Sequence, residues 1–131
     1  MLPNLAPGTR GRVYRGPVAT LDDLRRVVLE LPGTSEGTWY GTLGFHVAGK
    51  GFLRLRTEDE DGLLVVPVAD LGEKEALLGA RPEVFSTLSH YDGHAVVLLR
   101  LEAVDVEELA ELVTEAWRVK APVRLRRQLD G

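Results

Sequence analysis

HAVVLLRLEAVDVEELAELVTEAWRVK, His94 to Lys120, decides how this chain folds. Its first part, Ala95 to Leu99, is an apolar run rich in β-formers and too short for a free-standing helix, which suits a strand buried on both faces. The period then changes. Asp105 stands where a helix N-cap belongs, Glu108 follows three residues on, and Leu109, Leu112, Val113, Ala116 and Trp117 recur at i, i+3, i+4, i+7 and i+8. Such a stripe needs a sheet to cover it, and the strand just before it is the nearest candidate. Glu107, Glu108, Glu111 and Glu115 read as the solvated opposite face, with Glu115 and Arg118 paired at i, i+3.

Working back from this segment, Thr20 with Asp23 forms a capping pattern ahead of Leu21, Leu24, Val28 and Leu31, with Asp22, Arg26 and Glu30 paired outside, and Pro32-Gly33 ends that helix. From Glu36 the period becomes two. Thr38 to Tyr40, Phe45 and Val47, and then Leu53 and Leu55 mark strands, the last alternating with Phe52, Arg54 and Arg56; Ala48-Gly49-Lys50-Gly51 is the turn of a hairpin. Leu63 to Val68 is the next strand, with Pro67 pushed to a sheet edge or a strand end because it cannot donate to the ladder. Asp70 with Glu73 caps a helix over Leu71, Ala76, Leu77 and Ala80, stopped at Arg81-Pro82; a short strand at Val84-Phe85 and a loop to Gly93 complete the order. The early connections are too short for parallel crossovers, so the expected class is α+β: a mostly antiparallel sheet with helices before, within and after it.

With 131 residues the chain is expected to be one domain, 1–131, with an irregular N-terminal arm over 1–19, where three prolines and three glycines interrupt regular structure, and a basic tail over 122–131. There is no cysteine, which excludes thiol catalysis, disulfides and thiolate metal sites. No signal-peptide pattern opens the chain and no apolar run approaches the roughly 20 residues of a membrane span, so the expectation is a cytoplasmic protein with no membrane association. Net charge is −4, unevenly spread: residues 1–19 carry +3, residues 118–131 carry +4, and the body between them −11. Basic ends on an acidic body either reach for phosphate or fold back on that body.

Motifs for chemistry are sparse. His90 and His94 stand four apart, but in a loop bounded by Gly93 rather than on a helix, and His46 is the only other imidazole, so no metal site is expected. Ser35, Ser86 and Ser89 lack a nucleophile elbow, and Lys50 is followed by Gly51 and a strand where a phosphate-binding loop needs Ser or Thr opening a helix. Trp39 and Trp117 read as sheet-covering or core aromatics. The expectation is a non-catalytic protein without cofactor.

The segments Leu31-Pro32-Gly33-Thr34 with Glu36, Val47 to Phe52, Arg81-Pro82-Glu83-Val84-Phe85, His90-Tyr91-Asp92-Gly93, Val97 to Leu101, and Ala116 to Pro122 come in an order and spacing that resembles the MmcQ/YjbR family, from about Leu21 to Leu125. The resemblance implies a compact α+β fold similar in outline to secretion chaperones, no catalytic residue, and the DNA-binding label attached to a "double wing" of hairpins. Ala95 stands where an aromatic is often found. The second hairpin tip, Glu58 to Asp61, repels phosphate, so the expected nucleic-acid contacts are Lys50, Arg54 and Arg56 on the first hairpin with Arg124, Arg126 and Arg127 on the tail. The alternative is a protein-interaction or chaperone-like module, partnered by another protein or by a second copy.

Overall fold

The computed structural model describes residues 17–56 and 62–130. The first sixteen residues, with Arg10, Arg12, Arg15 and the strand expected near Val13-Tyr14, lie outside the described residues, as does the acidic turn Glu58 to Asp61. The chain runs α1 (Leu21–Leu29), β1 (Thr34–Trp39), β2 (Thr42–Val47), β3 (Lys50–Leu55), β4 (Leu63–Pro67), α2 (Leu71–Ala80), β5 (Phe85–Ser86), β6 (Val96–Arg100), α3 (Val106–Lys120) and α4 (Val123–Asp130). The six strands form one sheet in the order β1-β2-β3-β4-β6-β5, every neighbouring pair antiparallel. This is the α+β architecture expected.

The helix caps follow from local chemistry. Thr20 Oγ1 accepts from the Asp23 N–H at 3.2 Å while the Thr20 N–H donates to Asp23 Oδ2 at 2.9 Å, and Asp70 and Asp105 accept from the N–H groups of Glu73 and Glu108. From those starts α1 buries Leu24, Val27 and Val28, and α3 buries Leu109, Val113, Ala116 and Trp117, against one face of the sheet. Phe45, Leu53, Leu64, Val97 and Leu99 are among the strand residues that complete that core. Val97, Leu98 and Leu99 are all buried, as a strand covered on both faces requires. Pro67 is the last residue of β4, an interior strand, where its missing donor costs the ladder least.

Four expectations need correcting. Phe52 lies in the core beside Leu53, because a bulge between Phe45 and His46 shifts the β2–β3 register. On α2, Leu71, Ala76 and Ala80 are exposed and the buried residue is Lys74, since the helix sits at the margin of the sheet and touches it along one edge. Arg26 pairs with Asp23 at 2.9 Å, and Arg25 with Asp22 and Glu36, in place of an Asp22-Arg26-Glu30 series. Glu108 is not on a solvated face. It is 1% exposed and faces Arg81, itself 4% exposed, in a two-pronged ion pair through Nη1 to Oε2 and, at 3.1 Å, Nη2 to Oε1.

The tail is helical for eight residues and belongs to the body. Leu125 is buried against Gly33, whose φ of +74° and lack of a Cβ both matter, since a Cβ there would meet Leu125 Cδ1 at 2.5 Å. Glu115, three residues back, adds to the electrostatic hold on Arg118, whose guanidinium donates to Asp130 at 2.7 Å and so ties α4 to α3. That bond holds the Asp130 carboxyl below the ordinary carboxylate range, and the Thr20 backbone N–H, helped by Arg26, does the same for Asp23. A carboxylate whose pKa is lower folded than unfolded contributes stability that is complete above its unfolded value of about 4 and is lost as pH falls through the folded value. The urea midpoint is therefore expected to fall below about pH 4, and Asp130→Asn should make that decline shallower.

A candidate nucleic-acid interface on the outer face of the sheet

Strand register fixes which side chains leave the face turned away from α1 and α3. Across the sheet the outward residues are Ser35, Gly37 and Trp39; Thr42, Gly44 and His46; Gly51, Arg54 and, just past β3, Arg56; Leu63, Val65 and Pro67; Val96, Leu98 and Arg100; and Ser86 on β5. None is a carboxylate. The charged members are three arginines, whereas Glu107, Glu111 and Glu115 are exposed on α3 and Asp22, Asp23 and Glu36 lie on the helical side of the sheet.

Two rows of this face organise the site. Trp39 pairs with Thr42, and Leu63 pairs with Arg100 while its carbonyl accepts from the Arg56 N–H at 2.9 Å, so Trp39, Thr42, Arg56, Leu63 and Arg100 share one line across the strands. In the next row Gly44, Arg54, Val65 and Leu98 lie side by side. Trp39 lies across glycines: a Cβ on Gly51 would come within 2.6 Å of its ring, and one on Gly44 within 2.9 Å of its Cβ. Tyr40 stacks on Trp39 with centroids 5.6 Å apart and planes at 29°, and the Arg54 guanidinium stands 5.2 Å from the centre of the Tyr40 ring. Arg54 also donates to the Leu55 carbonyl at 3.3 Å and to the Tyr91 hydroxyl at 3.2 Å. Tyr91 reaches it from beyond β6, a path over β4 that accounts for the burial of Val65 and Leu98 outside the main core. The segment carrying Tyr91 is itself pinned by Lys74, whose ammonium donates to the carbonyls of Tyr91 at 2.7 Å and His94 at 2.9 Å.

The expected contact residues fall into two groups. Arg54 and Arg56 stand together, joined by Arg100, which was not anticipated although counting alternate residues forward from Leu98 reaches it. Arg100 is exposed and has no side-chain partner among the described residues. Lys50 lies at the other end of β3, roughly 20 Å from Arg56 at a strand rise of about 3.3 Å per residue. It shares that end with α4: the Ala48 N–H donates to the Gly33 carbonyl, and Gly33 packs on Leu125. Arg124 and Arg127 are exposed there and Arg126 is half-exposed. His46 lies 6.1 Å from Trp39 and His90 edge-on to Tyr91; among the described residues no three metal-ligating side chains converge.

A family model described as YjbR matches residues 29–119. Two proteins, both named as uncharacterized, one from Mycobacterium bovis and one from Mycobacterium tuberculosis, are 36% identical to the chain over 120 residues, covering 82% of it and 93% of each relative. A Deinococcus radiodurans protein with a DUF419 domain, known from its crystal structure, is 25% identical and superposes with a TM-score of 0.66 over 89% of this chain and 92% of that one.

Proposed function

Starting from the fact that the chain belongs to the YjbR family, we propose that it is a non-catalytic, cytoplasmic DNA-binding protein that holds phosphates weakly and with little regard to sequence. The observation that carries this reading is the set of outward strand residues, among whose described members none is a carboxylate and the charged ones are Arg54, Arg56 and Arg100, on a chain whose net charge is −4. Guanidinium groups bind phosphate through several donors at once and release its counterions, so a local cluster suffices without a basic protein overall. Lys50 with Arg124, Arg126 and Arg127 supplies a second set of cations at the opposite end of the sheet. No helix among the described residues is long and apolar enough to cross a membrane.

Titration of labelled DNA between 50 and 200 mM salt tests this. Binding is expected in the micromolar range or weaker at physiological salt, with log K falling linearly against log salt, and Arg100→Gln should reduce that slope by about 1. No complex at 50 mM salt, or an affinity indifferent to salt, would refute the proposal.

One further observation favours a protein partner as a second reading. Between α2 and α3 lies an apolar pocket of about 160 Å³ floored by Val66, Val97, Leu112 and Ala116, with Glu73 and Glu115 at its margin. Such a groove suits an amphipathic basic segment of another protein. Retention of the DNA complex by Leu112→Glu, which blocks the groove, would assign the groove to a separate role; loss of DNA binding with the fold intact would contradict that separation.

A further inference from the structure

We infer, on the DNA-binding reading above, that the ligand of the outer face is single-stranded DNA, with an unpaired base stacked on Tyr40 and the adjoining phosphates held by Arg54, Arg56 and Arg100. Three independent features of the chain serve to present this one ring. Tyr40 has φ +59° and Gly41 φ +78°, the two central positions of a tight hairpin turn where Asn or Gly is the favoured first residue. The next hairpin solves the same turn with Ala48 and Gly49, at φ +52° and +80°, so a bulky aromatic is not what the turn requires. The ring gains little from the fold, being 79% exposed. Yet it is braced, by Trp39 stacked on one side and the Arg54 guanidinium 5.2 Å away, and Trp39 can lie where it does because positions 44 and 51 carry no side chain. A backbone held in a disfavoured region to display an exposed ring flanked by Trp39 and Arg54 points to a ligand for that ring.

The chemistry of the ligand follows from what stands beside the ring. The row from Trp39 through Thr42, Arg56 and Leu63 to Arg100 crosses five strands, about 19 Å at 4.8 Å per strand, with the aromatic pair at one end and guanidinium groups in the middle and at the far end. A flexible polyanion with accessible ring faces fits that order of groups. In a duplex the base faces are hidden in the stack, so Tyr40 gains nothing there; in an unpaired strand every base offers a face, whatever its identity, and Arg adds to the stacking surface. The strands themselves argue in the same direction, since none of their outward residues among those described is acidic and three are arginines.

The test uses fluorescence anisotropy of the full chain with labelled oligothymidylate of about a dozen nucleotides and with a duplex of the same length. Wild-type protein should bind the single strand more tightly than the duplex. Tyr40→Asn removes the ring while supplying a residue suited to positive φ, so its melting temperature should hold or rise. Its affinity for the single strand should fall about tenfold, with the duplex affinity and the salt slope unchanged, and Tyr40→Phe should bind like wild type. Equal single-strand binding by Tyr40→Asn and wild type, or wild-type preference for the duplex, would overturn the inference while leaving DNA binding in place. Tighter binding of the corresponding oligouridylate would also overturn it, by assigning the face to RNA. Failure of every nucleic acid to bind would overturn the DNA-binding reading itself.

Discussion

Glu108→Ala should lower the unfolding free energy by about 3–5 kcal/mol, read as a drop in the urea midpoint at constant slope. The carboxylate is 1% exposed, and two of its contacts go to an arginine that is equally out of solvent. Removing it takes away the negative charge that compensates the Arg81 guanidinium and opens a cavity at the start of α3, and neither loss can be made good by water without loosening the helix. The pair is expected to be replaceable, though not breakable. A double substitution, Arg81→Met with Glu108→Leu, exchanges two desolvated charges for apolar volume and should recover most of the loss, because the cost of stripping water from both ions nearly offsets their attraction. If the single variant proved as stable as wild type, the ion pair would not be buried as described.

Trp117→Ala should cost a comparable 3–5 kcal/mol. The indole has no exposed surface, and its Nε1–H donates at 2.9 Å to the Pro32 carbonyl, 85 residues away in sequence. It therefore fills the space between α3 and the sheet and also satisfies a backbone acceptor at the corner where α1 gives way to β1. Trp117→Phe separates the two contributions: most of the apolar burial returns, and the remaining deficit, about 1–2 kcal/mol, measures the smaller volume together with the carbonyl left without its donor. A phenylalanine variant as unstable as the alanine one would show that ring volume is not what α3 requires here.

What could be read before the structure was what neighbouring residues decide. Thr20, Asp70 and Asp105 cap helices because the N–H they satisfy is three residues on, and Leu109 to Trp117 form a stripe because a helix brings i and i+4 to one side. Pro67 marks a strand end for the same reason of reach. What escaped reading depends on chain paths that no local pattern encodes. Arg81 and Glu108 meet across 27 positions, Arg54 and Tyr91 across 37, and Lys74 finds the Tyr91 and His94 carbonyls 17 and 20 residues on. Glu108 reads in the sequence as part of a solvated face, since the period marks where apolar groups face and says nothing about which charges are carried inward with them. The proposed site shows the same division. Arg54 and Arg56 were legible as outward strand residues by alternation, but not that Arg54 sits over the ring of Tyr40, nor that Lys50 and the α4 arginines share the opposite end of the molecule.

The absence of acid among the described outward strand residues bears on how a chain of net charge −4 would meet the polyanion proposed for it. Among the described residues, Glu107, Glu111 and Glu115 are exposed on α3, whereas the charged outward residues of the strands are Arg54, Arg56 and Arg100. On the proposed reading, a DNA strand lying on the arginine face would feel the α3 carboxylates only at greater distance and lower potential. On that same reading, salt would act chiefly on the frequency of productive encounters, and short-range contacts would set the lifetime of the complex.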